Sequence, residues 1–576
     1  MYIDFTVEDE ICGEMEILPY PKTTLIPQEG TSVKSVREIR PERIFKDTEG
    51  NIILDIGQKI IGYIYFRNVH VDNELVKLHY AESLDKDQNF PTDISKEIQV
   101  DTYRIVPNDG KVYEPHFTFH EFRFVKLEGF NQEVSIDDFS GIVLSTELET
   151  ICDLNTNNEK VNQLQNDIYW ELIGNLLEIP TKRSHGNKRQ GWTLDAQIML
   201  PTAAFNFQIY GFFGKWLKDL AGAQKEYDGA VPCVVPNVLN ENIFEGKSIT
   251  CAGWGDAAVI IPWELYKAYG NREILEQQYD SMKAWIDYVR SEGDNEYLWS
   301  PEVQSILEIE LIATAYYAYS TKLFAKTAKI FRRMTDYNEY SNLFTNIQEE
   351  FYKKFIKDKI ILTDYGQTVY ALALHFGILK KKDTSHAVKH LVGLINANND
   401  HINTDFWATP FVYNVLTDYG YHDLAYNIFF NEDSSFTSIG KWIYRTVGGI
   451  DALEPGYSKS IIAPKPDSRI GNSKCTLMSM QGKIECDWEL KDCELHIMIN
   501  IPANTEALVI LPNPRERTEL VKQIRQVTDN TAIFENKKSK LQLNNLYNER
   551  EIHIRDDVTF TIGSGKYEFS YIMNKR

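Results

Sequence analysis

The chain of 576 residues carries 83 acidic residues against 61 basic ones, which gives a formal net charge of −22. With 43% hydrophobic and 12% aromatic residues, its composition excludes wholesale disorder and supplies apolar surface for large cores. The negative charge also argues against a nucleic-acid partner, because neutralising phosphates requires a basic face.

The N-terminal segment MYIDFTVEDEICGEMEIL has no basic region followed by an apolar one, so it predicts no secretory signal. No apolar stretch reaches the roughly 18 residues of a membrane-spanning helix, so no membrane partner is expected. The seven cysteines are irregularly spaced and form no CxxC pair, which favours buried free thiols over disulfides or a metal site. We therefore expect a cytoplasmic protein without a metal or a cofactor.

Residues 1–150 are typical of β-structure. Short runs of alternating apolar residues recur at Asn51–Ile56, Ile60–Phe66, Leu75–Tyr80 and Phe122–Leu127, with turn signals such as PNDG between the runs. Several short strands at this spacing predict a β-sandwich.

Residues 151–452 change to a helical period. Apolar residues recur every three or four positions in Val161–Leu176, Ile309–Phe324 and Phe344–Phe355, which predicts amphipathic helices joined by short loops. About a dozen such helices over roughly 300 residues favour a toroid of paired helices. Alternation returns in residues 453–576, for example at Lys483–Leu490, and predicts a C-terminal β-domain.

Ile179–Gln197 (IPTKRSHGNKRQGWTLDAQ) concentrates positive charge in an acidic protein. Five basic residues are followed by an aromatic residue and a carboxylate, and together they are Lys182, Arg183, His185, Lys188, Arg189, Trp192 and Asp195. An aromatic ring beside a carboxylate suits a sugar, because the ring covers C–H groups while the carboxylate accepts from hydroxyls. A solvated basic loop explains the cations equally well.

Two further segments repeat the pairing of tryptophan with a carboxylate. Cys251–Trp263 contains Trp254 and Asp256, and His401–Pro410 contains Asp405 and Trp407. Asp256 could equally cap the helix that follows it, and Trp407 could equally pack in a core. No nucleophile elbow, HExxH, P-loop or Rossmann glycine pattern occurs in a convincing context, which disfavours nucleophilic, metal-dependent and nucleotide chemistry.

Three segments carry a resemblance to a known family: GWTLDAQIMLPTAAFN, GWGDAAVIIPWELY and WIYRTVGGIDALEPG. They resemble the bacterial α-L-rhamnosidases, which are inverting glycoside hydrolases. The resemblance implies a multidomain α+β protein, in which a central (α/α)₆ barrel (151–452) lies between an N-terminal β-sandwich (1–150) and a C-terminal β-sandwich (453–576).

The resemblance breaks at the residues that the family uses for catalysis. The family's loop reads roughly IPTDCPQRDERLGWTGDAQ, so its first aspartate, its second aspartate and its general-acid glutamate fall on Lys182, Asn187 and Lys188. Arg189, Trp192 and Asp195 match the family. The segment that carries the family's general base is missing near Ala425–Trp442.

Three functions stay open at this point. The first is an α-L-rhamnosidase-like hydrolase that uses other carboxylates, chosen from Asp195, Asp256, Glu302, Asp405, Glu432 and Asp433. The second is an enzyme for anionic, uronate-containing glycans, such as a lyase with His185 or Lys188 as base. The third is a non-catalytic carbohydrate-binding pseudoenzyme.

The residues predicted to contact a glycan or glycoside substrate lie in the three segments described above. A homodimer is a further open alternative. The predicted substrate-binding residues are Lys182, Arg183, Arg189, Trp192, Trp254, Asp405 and Trp407.

Overall fold

A computed structural model describes most of the chain. The described residues are 2–4, 6, 16, 27–68, 70–71, 73–91, 99–131, 133–183, 189–238, 249–292, 295–300, 307–404, 408–431, 437–534, 540–544, 546, 549–554 and 556–574. They form two compact units, of which the first comprises residues 1–148 and 170–190 and the second residues 149–169 and 191–576.

Strands occur in both units. In chain order they are β1 (Tyr2–Asp4), β2 (Val33–Ile39), β3 (Arg43–Lys46), β4 (Ile52–Arg67), β5 (Leu75–Ala81), β6 (Val100–Arg104), β7 (Val112–Tyr113), β8 (His120–Glu128), β9 (Phe139–Thr146), β10 (Cys152–Thr156), β11 (Leu176–Leu177), β12 (Ile179–Pro180), β13 (Lys182–Arg183), β14 (Arg189–Gln190), β15 (Ile356–Lys357), β16 (Ile360–Ile361), β17 (Ile450–Ala452), β18 (Lys459–Ile462), β19 (Asn472–Ser479), β20 (Gly482–Lys491), β21 (Glu494–Ile501), β22 (Glu506–Leu511), β23 (Ile533–Phe534), β24 (Lys540–Asn544), β25 (Glu549–His553), β26 (Val558–Ile562) and β27 (Gly565–Ile572).

The helices concentrate in the second unit. In chain order they are α1 (Glu159–Asn175), α2 (Thr193–Asn206), α3 (Tyr210–Lys225), α4 (Ala257–Tyr269), α5 (Glu273–Gln277), α6 (Tyr279–Ser291), α7 (Leu307–Ile330), α8 (Met334–Phe355), α9 (Gly366–Phe376), α10 (Lys381–Ala397), α11 (Thr409–Asp418), α12 (His422–Asn431), α13 (Gly440–Trp442) and α14 (Arg517–Val527).

The first unit is built on one sheet in which nine described strands are hydrogen-bonded. Its main path runs β1-β6-β5-β8-β4-β9-β2, with β3 and β7 paired to β4. Strand β4 joins the two alternating runs Asn51–Ile56 and Ile60–Phe66 into one element, because a register shift between Asp55 and Ile60 accommodates the extra residues. The predicted packing of two sheets into a sandwich stays a prediction.

A closed ring of inner helices forms the centre of the second unit. Helix α2 packs on α4, α4 on α7, α7 on α9 and α9 on α11, and the segment 437–442, which contains α13, closes the ring between α11 and α2. Helices α3, α6, α8, α10 and α12 pack on the outside of this ring. Because inner and outer helices alternate along the chain, the inner helices run in the same direction.

Two further sheets complete the second unit. One has the order β10-β19-β20-β21-β27 and the other β17-β18-β22-β26-β23. Strand β10 precedes the helices in the sequence yet pairs with β19 along its whole length. The α+β architecture is therefore confirmed, while the boundaries predicted at residues 150 and 452 stay predictions. Among the described helices, none combines the length and apolarity needed to cross a bilayer.

Gly62 is a position where the first sheet has no room for a side chain. A Cβ atom there would lie 1.7 Å from the carbonyl oxygen of Ile142 on β9. We expect Gly62→Ala to destabilise the first unit by about 2 kcal/mol or more, because the β4–β9 backbones must separate. Urea unfolding followed by tryptophan fluorescence measures the loss.

Gly50→Ala is the control for this change. Gly50 has a positive φ of 87°, and no atom lies within 4 Å of its Cβ position, so only a backbone strain of about 1 kcal/mol is expected. Equal losses for the two variants would contradict the steric argument.

Candidate functional site

The start of α2 is fixed by a neighbouring loop segment. Trp192 directly precedes the helix and forms a β-bridge with Val234. The N–H and the hydroxyl of Thr193 both donate to the carbonyl of Cys233, at 3.0 and 3.1 Å. Trp192 is half-buried, and in the described part of the chain its indole Nε1 donates to no acceptor. The residue directly before α2 is therefore an aromatic side chain with an unused hydrogen-bond donor.

The turn before α4 lies against the same region. Gly253 has a φ of +79°, and a Cβ atom there would come within 3.2 Å of Leu194 and 3.4 Å of Tyr316. Trp254 follows Gly253, and Asp195 follows Leu194, and both of these side chains are half-buried. The structure thus brings together the beginnings of α2 and α4, where three of the predicted site residues lie.

The carboxylate of Asp256 stabilises the turn before α4 through three hydrogen bonds. Its carboxylate accepts from the N–H of Gly253 at 2.8 Å, from Nε1 of Trp285 at 3.1 Å and from the hydroxyl of Ser320 at 2.6 Å. The side chain has no exposed surface, and burial raises its pKa. The alternative role as a helix cap is wrong, because the carboxylate makes no capping bond to α4. Asp256 ties the turn to α6 and α7.

The guanidinium of Arg189 is hydrogen-bonded to residues of the first unit. Its Nη1 donates to the carbonyl of Gly174 at 2.9 Å, to Oδ1 of Asn175 at 3.0 Å and to the hydroxyl of Thr181 at 3.1 Å. Its Nη2 donates to Oε2 of Glu121 at 2.7 Å. Arg189 therefore anchors the hairpin β13–β14 through its backbone and side chain.

The other residues of the basic loop are placed only in part. Lys182 and Arg183 form β13, which pairs with β14, and Nζ of Lys182 lies 3.9 Å from Oε1 of Glu171. These residues belong to the first unit, whereas Trp192 and Asp195 belong to the second. The predictions that lie outside the described residues are His185, Lys188, Glu302, Asp405, Trp407, Glu432 and Asp433.

A second concave site, which the sequence analysis missed, lies inside the ring. It is a cavity of about 560 Å³ lined by residues of α2, α4, α7 and α11, by the end of α9, by the start of α10, and by residues of the segment 438–451. Glu264 and Lys267, three positions apart in the otherwise apolar helix α4, were the available signal. An apolar helix is expected to be buried in a core, so charged residues on such a helix indicate an internal polar site.

Glu264 is shared by two ammonium groups in this cavity. Nζ of Lys267 lies 3.0 Å from Oε1, and Nζ of Lys441 lies 3.2 Å from Oε2. Burial opposes ionisation of Glu264, but the two cations outweigh it and lower its pKa to about 2. The ring of His375 stacks on Phe411 at 4.2 Å, and enclosure together with the ammonium of Lys441 lowers its pKa to about 3.

Arg445, which also lines the cavity, forms a second ion-pair cluster. Its guanidinium pairs with the carboxylates of Asp418 and Asp451, the latter at 3.3 Å, and donates to Oδ1 of Asn414 at 2.8 Å. One cation is therefore shared by two carboxylates, the reverse of the cluster around Glu264.

Neither a metal site nor a disulfide emerges from the described residues. No three His, Cys, Asp or Glu side chains there are arranged to hold a metal ion. The cysteines outside residue 12 are free thiols, at positions 152, 233, 251, 475, 486 and 493.

The ring of helices with its flanking sheets defines the class of six-hairpin glycosidases, and solved structures agree with this. An α-L-rhamnosidase of Streptomyces avermitilis in complex with L-rhamnose superposes with a TM-score of 0.82 at 27% identity, over 95% of this chain and 54% of that one. An α-L-rhamnosidase from Dictyoglumus thermophilum gives 0.80 at 25% identity, over 94% and 64%.

Family models match three successive parts of the chain. They are the concanavalin-like domain (45–145), the 6-hairpin glycosidase domain (149–445) and the C-terminal domain (449–525) of bacterial α-L-rhamnosidases. The chain belongs to the bacterial α-L-rhamnosidase family.

Curated relatives are considerably longer than this chain. An α-L-rhamnosidase of Formosa agariphila is 30% identical over 91% of this chain and 62% of its own length. Another, of Streptomyces avermitilis, is 30% identical over 89% of this chain and 53% of its own length. The chain thus spans between about half and two thirds of these relatives.

We expect Asp256→Asn to destabilise the second unit by about 2–4 kcal/mol. The amide places an N–H group among three donors that need an acceptor, so at least one buried hydrogen bond is lost. Chemical denaturation followed by circular dichroism measures the change. Asp219→Asn, which removes a surface pair with Lys215, should cost at most about 0.5 kcal/mol. Unchanged unfolding of Asp256→Asn would contradict the role assigned to Asp256.

The lowered pKa of Glu264 makes its contribution to stability depend on pH. The folded pKa of about 2 lies below the ordinary value of 4.5, so the stabilisation is present above pH 4.5 and is lost as the pH falls towards 2. The difference in unfolding free energy between the wild type and Glu264→Gln should therefore shrink from neutral pH to about pH 3.

Denaturant titrations at several pH values measure this difference. Glu350→Gln is the control, because Glu350 forms an exposed pair with Lys353 and should give a nearly constant difference. A constant difference for Glu264→Gln would contradict the ion-pair argument.

Proposed function

We propose that this protein hydrolyses terminal α-L-rhamnosides, or a related glycan, with a non-standard pair of catalytic carboxylates. The observation that carries the proposal is the gathering of Trp192, Asp195 and Trp254 at the beginnings of two adjacent inner helices. Aromatic rings can cover the C–H faces of a sugar while a half-buried carboxylate accepts from its hydroxyls or exchanges a proton.

Inverting hydrolysis requires two carboxyl groups about 6.5–9.5 Å apart, one to protonate the leaving oxygen and one to activate water. We assign Asp195 as one of this pair, because its side chain is half-buried and lies in the first turn of α2. Asp256, which has no exposed surface, serves as a positioning residue that fixes the turn carrying Trp254. We assign the second carboxylate to one of four acidic residues. In the sequence, Glu302 precedes α7, Asp405 precedes α11, and Glu432 and Asp433 precede the segment 437–442.

The relatives support the choice of sugar. Proteins that resemble this chain over most of its length are named α-L-rhamnosidases, and one solved structure holds L-rhamnose. Lys188 replaces the family's general acid, which is why the pair is proposed as non-standard. An anionic glycan remains a variant of the substrate, because Lys182 and Arg183 precede Trp192 and Asp195 in the same basic segment of the sequence.

Asp195→Asn tests the assignment with an aryl α-L-rhamnoside as substrate. The amide keeps the shape of the side chain but cannot exchange a proton, so kcat should fall by about 10²–10⁴-fold with little change in KM. Release of the aryl group is followed by absorbance, and thermal unfolding confirms that the variant is folded.

Asp280→Asn, at an exposed position of α6, is the matched control and should retain full activity. If the wild type cleaves no rhamnoside at any pH, the hydrolase proposal is wrong. Saturable binding of L-rhamnose that is lost in Trp192→Ala would then assign the protein as a non-catalytic sugar-binding member of the family.

A further inference from the structure

The cavity inside the ring lies apart from the residues of the proposed catalytic site. Trp192, Asp195 and Trp254 are not among its lining residues. Its volume of about 560 Å³ falls within the roughly 300–1,000 Å³ of small-molecule sites. Lys381 and Ser385, the first and fifth residues of α10, line the cavity and are exposed, which places its mouth beside the start of that helix.

The lining of this cavity is positively charged, although the chain as a whole is strongly acidic. Six cationic side chains face three carboxylates, and the lowered pKa of His375 keeps this residue neutral near pH 7. The cations are Lys267, Lys322, Lys326, Lys381, Lys441 and Arg445, and the carboxylates are Glu264, Asp418 and Asp451.

The positive charge is concentrated on the wall formed by α4, α7 and α13. Glu264 is shared there by Lys267 and Lys441, and Lys326, with only 9% of its surface exposed, lies with Nζ 5.9 Å from the centroid of the Trp263 ring. Gathering ammonium groups in an enclosed space is costly unless an anion neutralises them. The wall therefore suits a carboxylate or a phosphate group.

The cavity lining also contains hydroxyl acceptors and aromatic rings. The carboxylates of Asp418 and Asp451 around Arg445 can accept hydrogen bonds from hydroxyl groups. Two stacked pairs of rings provide flat apolar surface, with His375 on Phe411 at 4.2 Å and Tyr319 on Phe376 at 4.4 Å; Phe376, Phe411, His375 and Tyr319 all line the cavity. Flat rings and hydroxyl acceptors are what the C–H faces and hydroxyls of a sugar require.

We propose that this cavity binds an anionic monosaccharide, with its carboxylate or phosphate group at Lys267, Lys326 and Lys441 and its hydroxyls towards Asp418 and Asp451. The site is separate from the catalytic one and does not rest on the proposed hydrolytic function. The competing explanation is that the lysines only offset the partial negative charges at the ends of α4 and α7, which predicts no ligand.

Isothermal titration calorimetry of the full chain tests the proposal with D-glucuronate, glucose 6-phosphate and neutral D-glucose. At least one anion should bind saturably and glucose should not, and the preferred anion identifies a carboxylate or a phosphate ligand. Lys326→Met should weaken binding by about tenfold, because one charge-assisted contact is lost.

Ser385→Glu provides a second variant that preserves folding. Ser385 is exposed and lies near the N-terminus of α10, where an acidic residue does not oppose the helix dipole, but its charge at the mouth should weaken binding of the anion by several-fold. His386→Glu is the matched control, since His386 is exposed in the same turn and does not line the cavity. Absence of binding by both anions, or equal affinity of the wild type, Lys326→Met and Ser385→Glu, overturns the proposal.

Discussion

The buried carboxylate of Asp256 is the interaction on which the arrangement of the proposed catalytic site depends. It gathers a backbone N–H, an indole N–H and a hydroxyl from three separate elements, and a buried carboxylate is tolerated only where such donors surround it. The adjacent Gly255 leaves room for this, because a Cβ atom there would lie 2.1 Å from the ring of Trp285. The turn that carries Trp254 is thereby held against the first turn of α2.

The proposed catalytic site and the cavity of the helical ring carry different chemistry. Where α2 and α4 begin, half-buried tryptophans accompany a carboxylate, whereas the ion-pair clusters around Glu264 and Arg445 line the cavity. The net charge of −22 describes the whole chain and conceals the cavity, where cations outnumber carboxylates. Local charge therefore says more about ligands than the total does, because an enclosed site is screened less by solvent and salt.

Much of the fold could be predicted from the sequence, because hydrophobic period is a local property. The run Val161–Leu176 became α1, and Lys483–Leu490 became part of β20. The site was predicted less completely. Arg189 was expected to contact substrate, but its guanidinium is taken up by Glu121 and by groups of the preceding segment. Glu121 lies 68 positions away, and no local pattern connects the two residues.

The sequence by itself determined the order of β, α and β regions and the family. Only the tertiary structure decided which charges face one another. Glu264 meets Lys441 from 177 positions away, and Asp256 meets Ser320 from 64. Periodicity fixes which face of a helix is buried, whereas closure of the ring fixes what that face meets, and this closure depends on all the inner elements together.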